Sequence, residues 1–313
     1  MMIRVAALLL LAGCAPVLTK LTGSFVNTMV IPEPDGQFSF RVGGKEWLRY
    51  HTGPQTPKPY FYPVMGPSGW PISRLTHPQD PTTHDHHLSL WIGHASVNGL
   101  SFWEARQSPA RIVHDRVTKI VDGDDASLSI RARWLDGEKK TLLFDDRVWT
   151  LRPRFETIGP NGFGEYALDL QLALSTPAAP VTLGKSSFGL LSFRVAKFMG
   201  TLDGGGTIRN SEGLVNEAQL MNPHKRARWC DYSGTAAPGE VNGVGFLDHP
   251  SNPNHPTHFH VRGDGWMGAS LTQETPIEIT KERPLVLRYR FRIHRGPADP
   301  AAIDAEWAAW GRP

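Results

Sequence analysis

Polar and apolar residues alternate one for one along several long stretches of this chain. Ser127–Trp134 sets Leu128, Ile130, Ala132 and Trp134 against Ser127, Ser129, Arg131 and Arg133. Glu165–Leu174 sets Tyr166, Leu168, Leu170, Leu172 and Leu174 against Glu165, Asp169 and Gln171. Leu285–His294 places Leu285, Leu287, Tyr289, Phe291 and Ile293 opposite Arg288, Arg290, Arg292 and His294. Successive side chains of a strand point to opposite faces, so a period of two means half-buried strands with one face on a core. Asn98-Gly99, between Ser89–Ser96 and Ser101–Ala105, predicts a tight hairpin of type I′. Further strands are expected near 37–50, 110–121, 140–151, 181–199, 241–247, 257–271 and 276–280. One helix is expected, at the C-terminus: Asp299 caps it, Pro300 takes its first position, and Ala301–Trp310 is Ala-rich.

The fold expected is all-β, a large antiparallel β-sandwich with one C-terminal helix, and a galactose-mutarotase-like supersandwich is the preferred form. With 31 glycines and 26 prolines, the chain is richer in turn residues than usual but short of a disordered composition. The basic residues (33) exceed the acidic ones (30) by too little to argue for nucleic acid.

The N-terminus carries a separate signal. Met1–Arg4 is short and positive, Val5–Ala12 is apolar, and Leu11-Ala12-Gly13-Cys14 matches the bacterial lipobox. The organisation expected is a lipoprotein signal peptide at 1–13, a tether at 14–34 and a single β-sandwich domain at 35–313. Cys14 would carry the lipid. Ala15 follows it with no Asp to retain the chain at the inner membrane, which points to an outer-membrane lipoprotein facing the periplasm. Membrane contact would be through the anchor only, because the apolar run is far shorter than the roughly 20 residues a span needs. Cys230, the one other cysteine, is expected to be buried and inert.

Histidine is concentrated in two windows, Thr83–Trp91 and Asp248–His260, which hold seven of the 13 imidazoles. In the first, alternation puts Leu88, Leu90 and Ile92 on the core side and His87, Ser89 and Trp91 on the other. In the second, prolines stiffen a loop that leads into a strand with His258 and His260 on one side. Such groups can act as general acid and base, since histidine titrates near neutrality. They can also bind a divalent metal, or simply cap loops by bonding to turn backbone. The candidate catalytic residues are His86, His87, Asp248 and His249. The candidate substrate contacts are Tyr60, His84, Asp85, Trp91, Asp231 and His258, with Tyr60 and Trp91 as flat platforms for a sugar ring. A divalent metal is one cofactor candidate, with His84, His86, His258 and His260 as its ligands. Trp103, Trp229 and Trp266 lie beside these segments. Arg288, Arg290 and Arg292 read as a solvated sheet face.

Lys58–Val64, His84–Trp91, Val97-Asn98-Gly99 with Phe102-Trp103, Trp229–Gly234 and Asp248–Arg262 together resemble the PmoA-like family of bacterial secreted proteins, in the same order from about residue 45 to 295. Its pattern before the Leu-Trp strand reads Asp-His-Pro-His-His-Arg. His84, His86 and His87 match, whereas Thr83, Asp85 and Leu88 replace its Asp, Pro and Arg. The family's name points to a methane oxygenase, but a membrane-bound oxygenase subunit needs spanning helices and this chain has no run long enough. The company such proteins keep implies carbohydrate work. The function expected is therefore a periplasmic carbohydrate-active enzyme, a hydrolase or lyase acting on a glycoside or modified sugar through a His/Asp site. The alternatives are a non-catalytic sugar-binding lipoprotein and a metal-dependent oxygenase. A carboxylate pair for hydrolysis would come from Asp85, Asp169, Asp231 or Asp248. The partner is a small molecule or oligosaccharide. If the lipobox reading is right, Cys14→Ser moves the protein from the membrane fraction to the soluble periplasmic one. Retention on membranes after a salt wash would refute it.

Overall fold

In the computed structural model, residues 27–76, 86–104 and 108–312 are described. The lipobox with Cys14, most of the expected tether, and His84 and Asp85 lie outside them. Among the described residues, two large antiparallel sheets dominate. The first has nine strands in the spatial order Thr28–Glu33, Gln37–Val42, Lys45–His51, Tyr60–Val64, Leu90–His94, Gly189–Arg194, Trp266–Ser270, Thr257–Arg262 and Arg226–Ala227. The second has eight: Thr207–Asn210, Trp229–Ala237, Glu240–Asp248, Leu285–Arg295, Tyr166–Ser175, Thr141–Pro153, Ala126–Leu135 and Arg111–Val121. Val181–Leu183 and Ile277–Ile279 form a small separate pair. No described helix is long and apolar enough to cross a membrane.

The pleat explains how this sequence makes two packed layers. Ala126–Leu135 alternates buried and half-buried residues without a break. Its inner residues Leu128, Ile130, Ala132 and Trp134 join one core with Phe40, Trp47, Leu48 and Phe61 of the first sheet. Burying such side chains is worth about 1.5–3 kcal/mol each, which is the main force holding the layers together. Asn98 and Gly99 both have positive φ, as the type I′ turn requires, and Val97 bridges to Leu100. No strand is described beyond that bridge at Ser101–Glu104.

Four sequence expectations need correction. Thr28–Glu33, expected in the tether, is an edge strand paired in full with Gln37–Val42. A second, short helix occupies Asn216–Met221; its six residues carry too little periodicity to be read from sequence. The strand expected from Ser89 starts at Leu90, because Ser89 has a φ of 65° and turns the chain. Leu90 and Ile92 face the main core as expected, but Leu88 lies on the opposite side with Trp91.

One ion pair interrupts the core. Asp145 and Arg147 are both fully buried in the second sheet. The Asp145 carboxylate accepts from Arg147 Nε and from Trp134 Nε1, each at 2.9 Å. Arg147 Nη1 crosses to the first sheet and donates to the Tyr50 hydroxyl at 2.8 Å. Burial pushes the Tyr50 phenol up to about 12, so it stays neutral. Removing one member strands the other in the core. Arg147→Met should therefore lower unfolding free energy by about 3–5 kcal/mol in a urea titration, and a loss below 1 kcal/mol would mean the site is wetter than the packing indicates.

Candidate functional site

Strands at the edges of the first sheet alternate in burial, but those at its centre do not. Leu90–His94, Gly189–Arg194 and Trp266–Ser270 are buried at every position. The outer face there must be covered, and it carries polar residues. Ser192 pairs across the sheet with Trp91 on one side and Gly268 on the other, and Gly268 pairs with His260. Gly268 has to lack a side chain: a Cβ would come within 2.7 Å of Ser192 Oγ and 3.3 Å of the Trp266 ring, which lies over this row.

Loops bearing His86, His87, Trp103 and Phe188 cover this face and enclose a cavity of about 320 Å³. Its wall also includes Ser101, Glu104, Arg194, Arg262, Asp264 and Trp266. The two adjacent imidazoles meet edge to face at 4.3 Å. The His87 ring lies nearly parallel to Trp91 (5.4 Å, 23°) and to Trp266 (6.1 Å, 15°). Trp103 and Phe188 contact Trp266 at 5.8 Å each. Phe188 is 41% exposed, so one aromatic face of the cage remains open to solvent. Below Trp103, the buried Lys58 ammonium donates to the carbonyls of Phe102 and Trp103 and holds their loop against the sheet.

Charge enters the cavity in a fixed arrangement. Arg194 is buried, and its two terminal nitrogens bond both oxygens of Asp264 at 3.1 and 3.2 Å. Burial lowers the Arg194 pKa and the Asp264 charge opposes that loss. Arg74 braces the same turn through the Asp264 carbonyl, and burial beside Arg194 brings Arg74 down to about 10. His260 lies 4.4 Å from Trp266, behind the cavity wall. Its burial, with Arg262 and His224 nearby, brings it down to about 4, so it is neutral at physiological pH.

Of the two histidine windows expected to share a pocket, only the first contributes to the lining of this cavity. His86 and His87 line the cavity, and His260 of the second window backs it. Asp248 and His249 do not join them. The Asp248 carboxylate bonds Asn252 Nδ2 and His255 Nδ1, each at 2.7 Å, and its carbonyl accepts from Trp307 Nε1. His249 bonds Ser251 and packs its edge on Trp310 at 4.7 Å. These residues bind the C-terminal helix, Pro300–Trp310, away from the cavity, and His249 lines a separate pocket with Asp169 and Arg288. Asp231, expected to contact substrate, is instead fully buried, held by His294 at 2.8 Å and by Ser233. Asp169 is taken by Arg290 and Arg152. None of these three carboxylates reaches the cavity, which removes them as a hydrolytic pair at this site.

His258 points its Nε2 at Glu274, 3.0 Å away, rather than into the cavity. Trp91 is almost wholly buried beneath His87, so it supports the wall and is no exposed platform. Tyr60 packs on the same aromatic cluster and stacks on His51 at 4.7 Å, outside the cavity lining. Among the described residues, no group of three potential ligands is placed to hold a metal, so His86, His258 and His260 do not form the expected set. Arg290 and Arg292, expected on a solvated face, lie under the C-terminal helix and pair with Glu306.

Trp103 and Trp266 were visible in the sequence as neighbours of the site. Phe188, Arg194 and Asp264 were not. Phe188 and Arg194 flank an ordinary apolar strand, and Asp264 sits in a Gly-Asp-Gly turn that gives no hint of its partner.

The chain belongs to a family described as "Family of unknown function (DUF6807)", whose profile matches residues 37–308. No curated protein matches it.

The buried imidazoles set an acid limit on stability. His94, bonded to Thr272 at 2.8 Å, is brought down to about 4 by burial, as His260 is. Each binds its proton more readily in the unfolded chain, near 6.5. Their contribution is therefore complete above pH about 6.5 and is lost as pH falls to about 4. His294 has the opposite sign. Burial pulls it down, but the Asp231 charge outweighs that and raises it, so its contribution is lost only as pH rises. The unfolding free energy from urea titrations should fall between pH 6.5 and 4 by on the order of 2–4 kcal/mol, and His94→Gln should flatten that fall. An unchanged pH profile in His94→Gln would contradict the assignment.

Proposed function

We propose that the protein is a carbohydrate-active enzyme whose cavity under the His86–Phe188 cover binds a sugar and carries out proton transfer on it. The observation that carries this reading is the meeting, in one cavity of about 320 Å³, of two imidazoles with the rings of Trp103, Trp266 and the more exposed Phe188. Flat aromatic walls suit the C–H faces of a pyranose, and a few fixed polar groups orient its hydroxyls. The volume sits at the lower end of that usual for small-molecule sites, enough for one or two sugar units.

Within this reading His87 is the group that exchanges a proton with substrate. Its ring lies nearly parallel to Trp91 and Trp266, which fixes its plane, and His86 stands beside it as a second imidazole. Asp264 is a poor candidate for the acid, since both its oxygens are occupied by Arg194. That favours imidazole-driven elimination by a lyase over hydrolysis by a carboxylate pair. The lipobox at Leu11–Cys14 and the resemblance to PmoA-like secreted proteins support placing this activity at the periplasmic face of the outer membrane.

The test is turnover on a panel of glycosides and uronides, read as new reducing ends or as ultraviolet absorbance of an unsaturated product. His87→Gln keeps the bulk of the ring and removes its proton transfer. It should lose about 10²–10⁴ in rate while the melting temperature stays within a few degrees of the parent. Parental turnover in that variant would refute the assignment of His87. Sugar binding by the parent with no turnover on any substrate would instead make the protein a binding module.

A further inference from the structure

We infer that the sugar this cavity takes is an acidic one, a uronate, and that Arg262 recognises its carboxylate. The inference rests on the reading of the cavity as a sugar site and adds the substrate class. It comes from the register of three adjacent strands. Trp266 is the cross-strand partner of Arg194 on one side and of Arg262 on the other, and all three line the cavity. An aromatic face is thus flanked by two guanidinium groups along one row of the sheet.

The two arginines are not equivalent. Arg194 is buried and its terminal nitrogens are committed to Asp264, so it serves to hold the turn. Arg262 keeps 47% of its side chain exposed, and among the described residues only its Nη1 is engaged, by Glu217 at 2.9 Å. Its Nε and Nη2 remain available at the rim. A planar guanidinium fork matches the two oxygens of a planar carboxylate. In a uronate that carboxylate projects from the edge of the ring, so a pyranose held in the cavity beside Trp266 would carry it towards the neighbouring strand. Glu104, the other acidic residue of the lining among the described residues, enters from the Trp103 loop and not from this row. Its charge disfavours an anion on its own side, which leaves the Arg262 end for the acid group.

The experiment titrates the full chain with three probes of one linkage: a uronate trisaccharide, its neutral methyl ester, and a neutral trisaccharide carrying a sulfate ester. Binding is read by calorimetry and by indole fluorescence. The uronate should bind at least about tenfold more tightly than the methyl ester, the scale of one charge-assisted contact, and its affinity should fall with added salt. Arg262→Gln should reduce uronate affinity to that of the ester and leave the ester unaffected. Glu217→Gln, which frees the guanidinium, should bind the uronate as well as the parent or better. Equal affinity for uronate and ester in the parent, tighter binding of the sulfate ester, or undiminished uronate binding in Arg262→Gln would overturn this inference and leave the sugar site standing. No heat and no fluorescence change with any probe would overturn both.

Discussion

The centre of the first sheet is buried on both faces, and the rest of the molecule is arranged around that fact. A strand with one face on the core and one in water needs only alternation. A strand covered on both sides takes the polar groups of its outer face out of water as well. Here that face carries Ser192, Arg194 and His260 among the rings of Trp91 and Trp266, and among the described residues Ser192 Oγ and Arg194 Nε find no partner. The loops that cover it supply His86, His87 and Trp103, and the cavity is the space left between cover and sheet. The inner face of the same strands belongs to the common core, with Ile92, Leu191 and Phe193 packed towards the second sheet. The site therefore stands on strands that are held from behind by the main hydrophobic layer, which gives it a rigid floor.

Electrostatics follow the same division. Charges inside the two layers are paired where they stand: Asp145 with Arg147, and Asp231 with His294. Each pair removes a desolvation cost that either member alone would impose. At the cavity the pairing is asymmetric. Arg194 is spent on Asp264 to fix a turn, while Arg262 remains half in solvent beside the same tryptophan. Burial keeps His260 uncharged behind the wall.

The second histidine window shows how closely spaced residues can take unrelated tasks. Asp248, His249, Asn252 and His255 bind one another and the indoles of Trp307 and Trp310. They fasten a helix that also covers Arg290 and Arg292 of the second sheet through Glu306. A few residues on, the chain crosses into the first sheet, and His260 turns towards Trp266. The rigid Pro-rich loop is the crossover between the two sheets. Its histidines are divided because one end belongs to each layer.

The sequence alone determined the alternating strands and the capped C-terminal helix, since both have a local cause. Alternation in Ser127–Trp134 and Leu285–His294 follows from the pleat, and Asp299 accepts from the amides of Ala301 and Ala302 as a helix cap does. It also drew attention to His86 and His87, which line the cavity, because two imidazoles beside a tryptophan strand are chemically conspicuous. It could not assign Asp248, His249 or Asp231, whose residue types suit catalysis and loop fastening equally well. The Arg194–Trp266–Arg262 row was beyond its reach. Those residues lie 72 and 4 positions from one another along the chain, and only the pairing register of three strands makes them neighbours. Which strands sit at the centre of a sheet, and hence which outer face is roofed by loops, is a property of the whole chain's packing. No window of sequence contains it, so the tertiary structure decided where the site is.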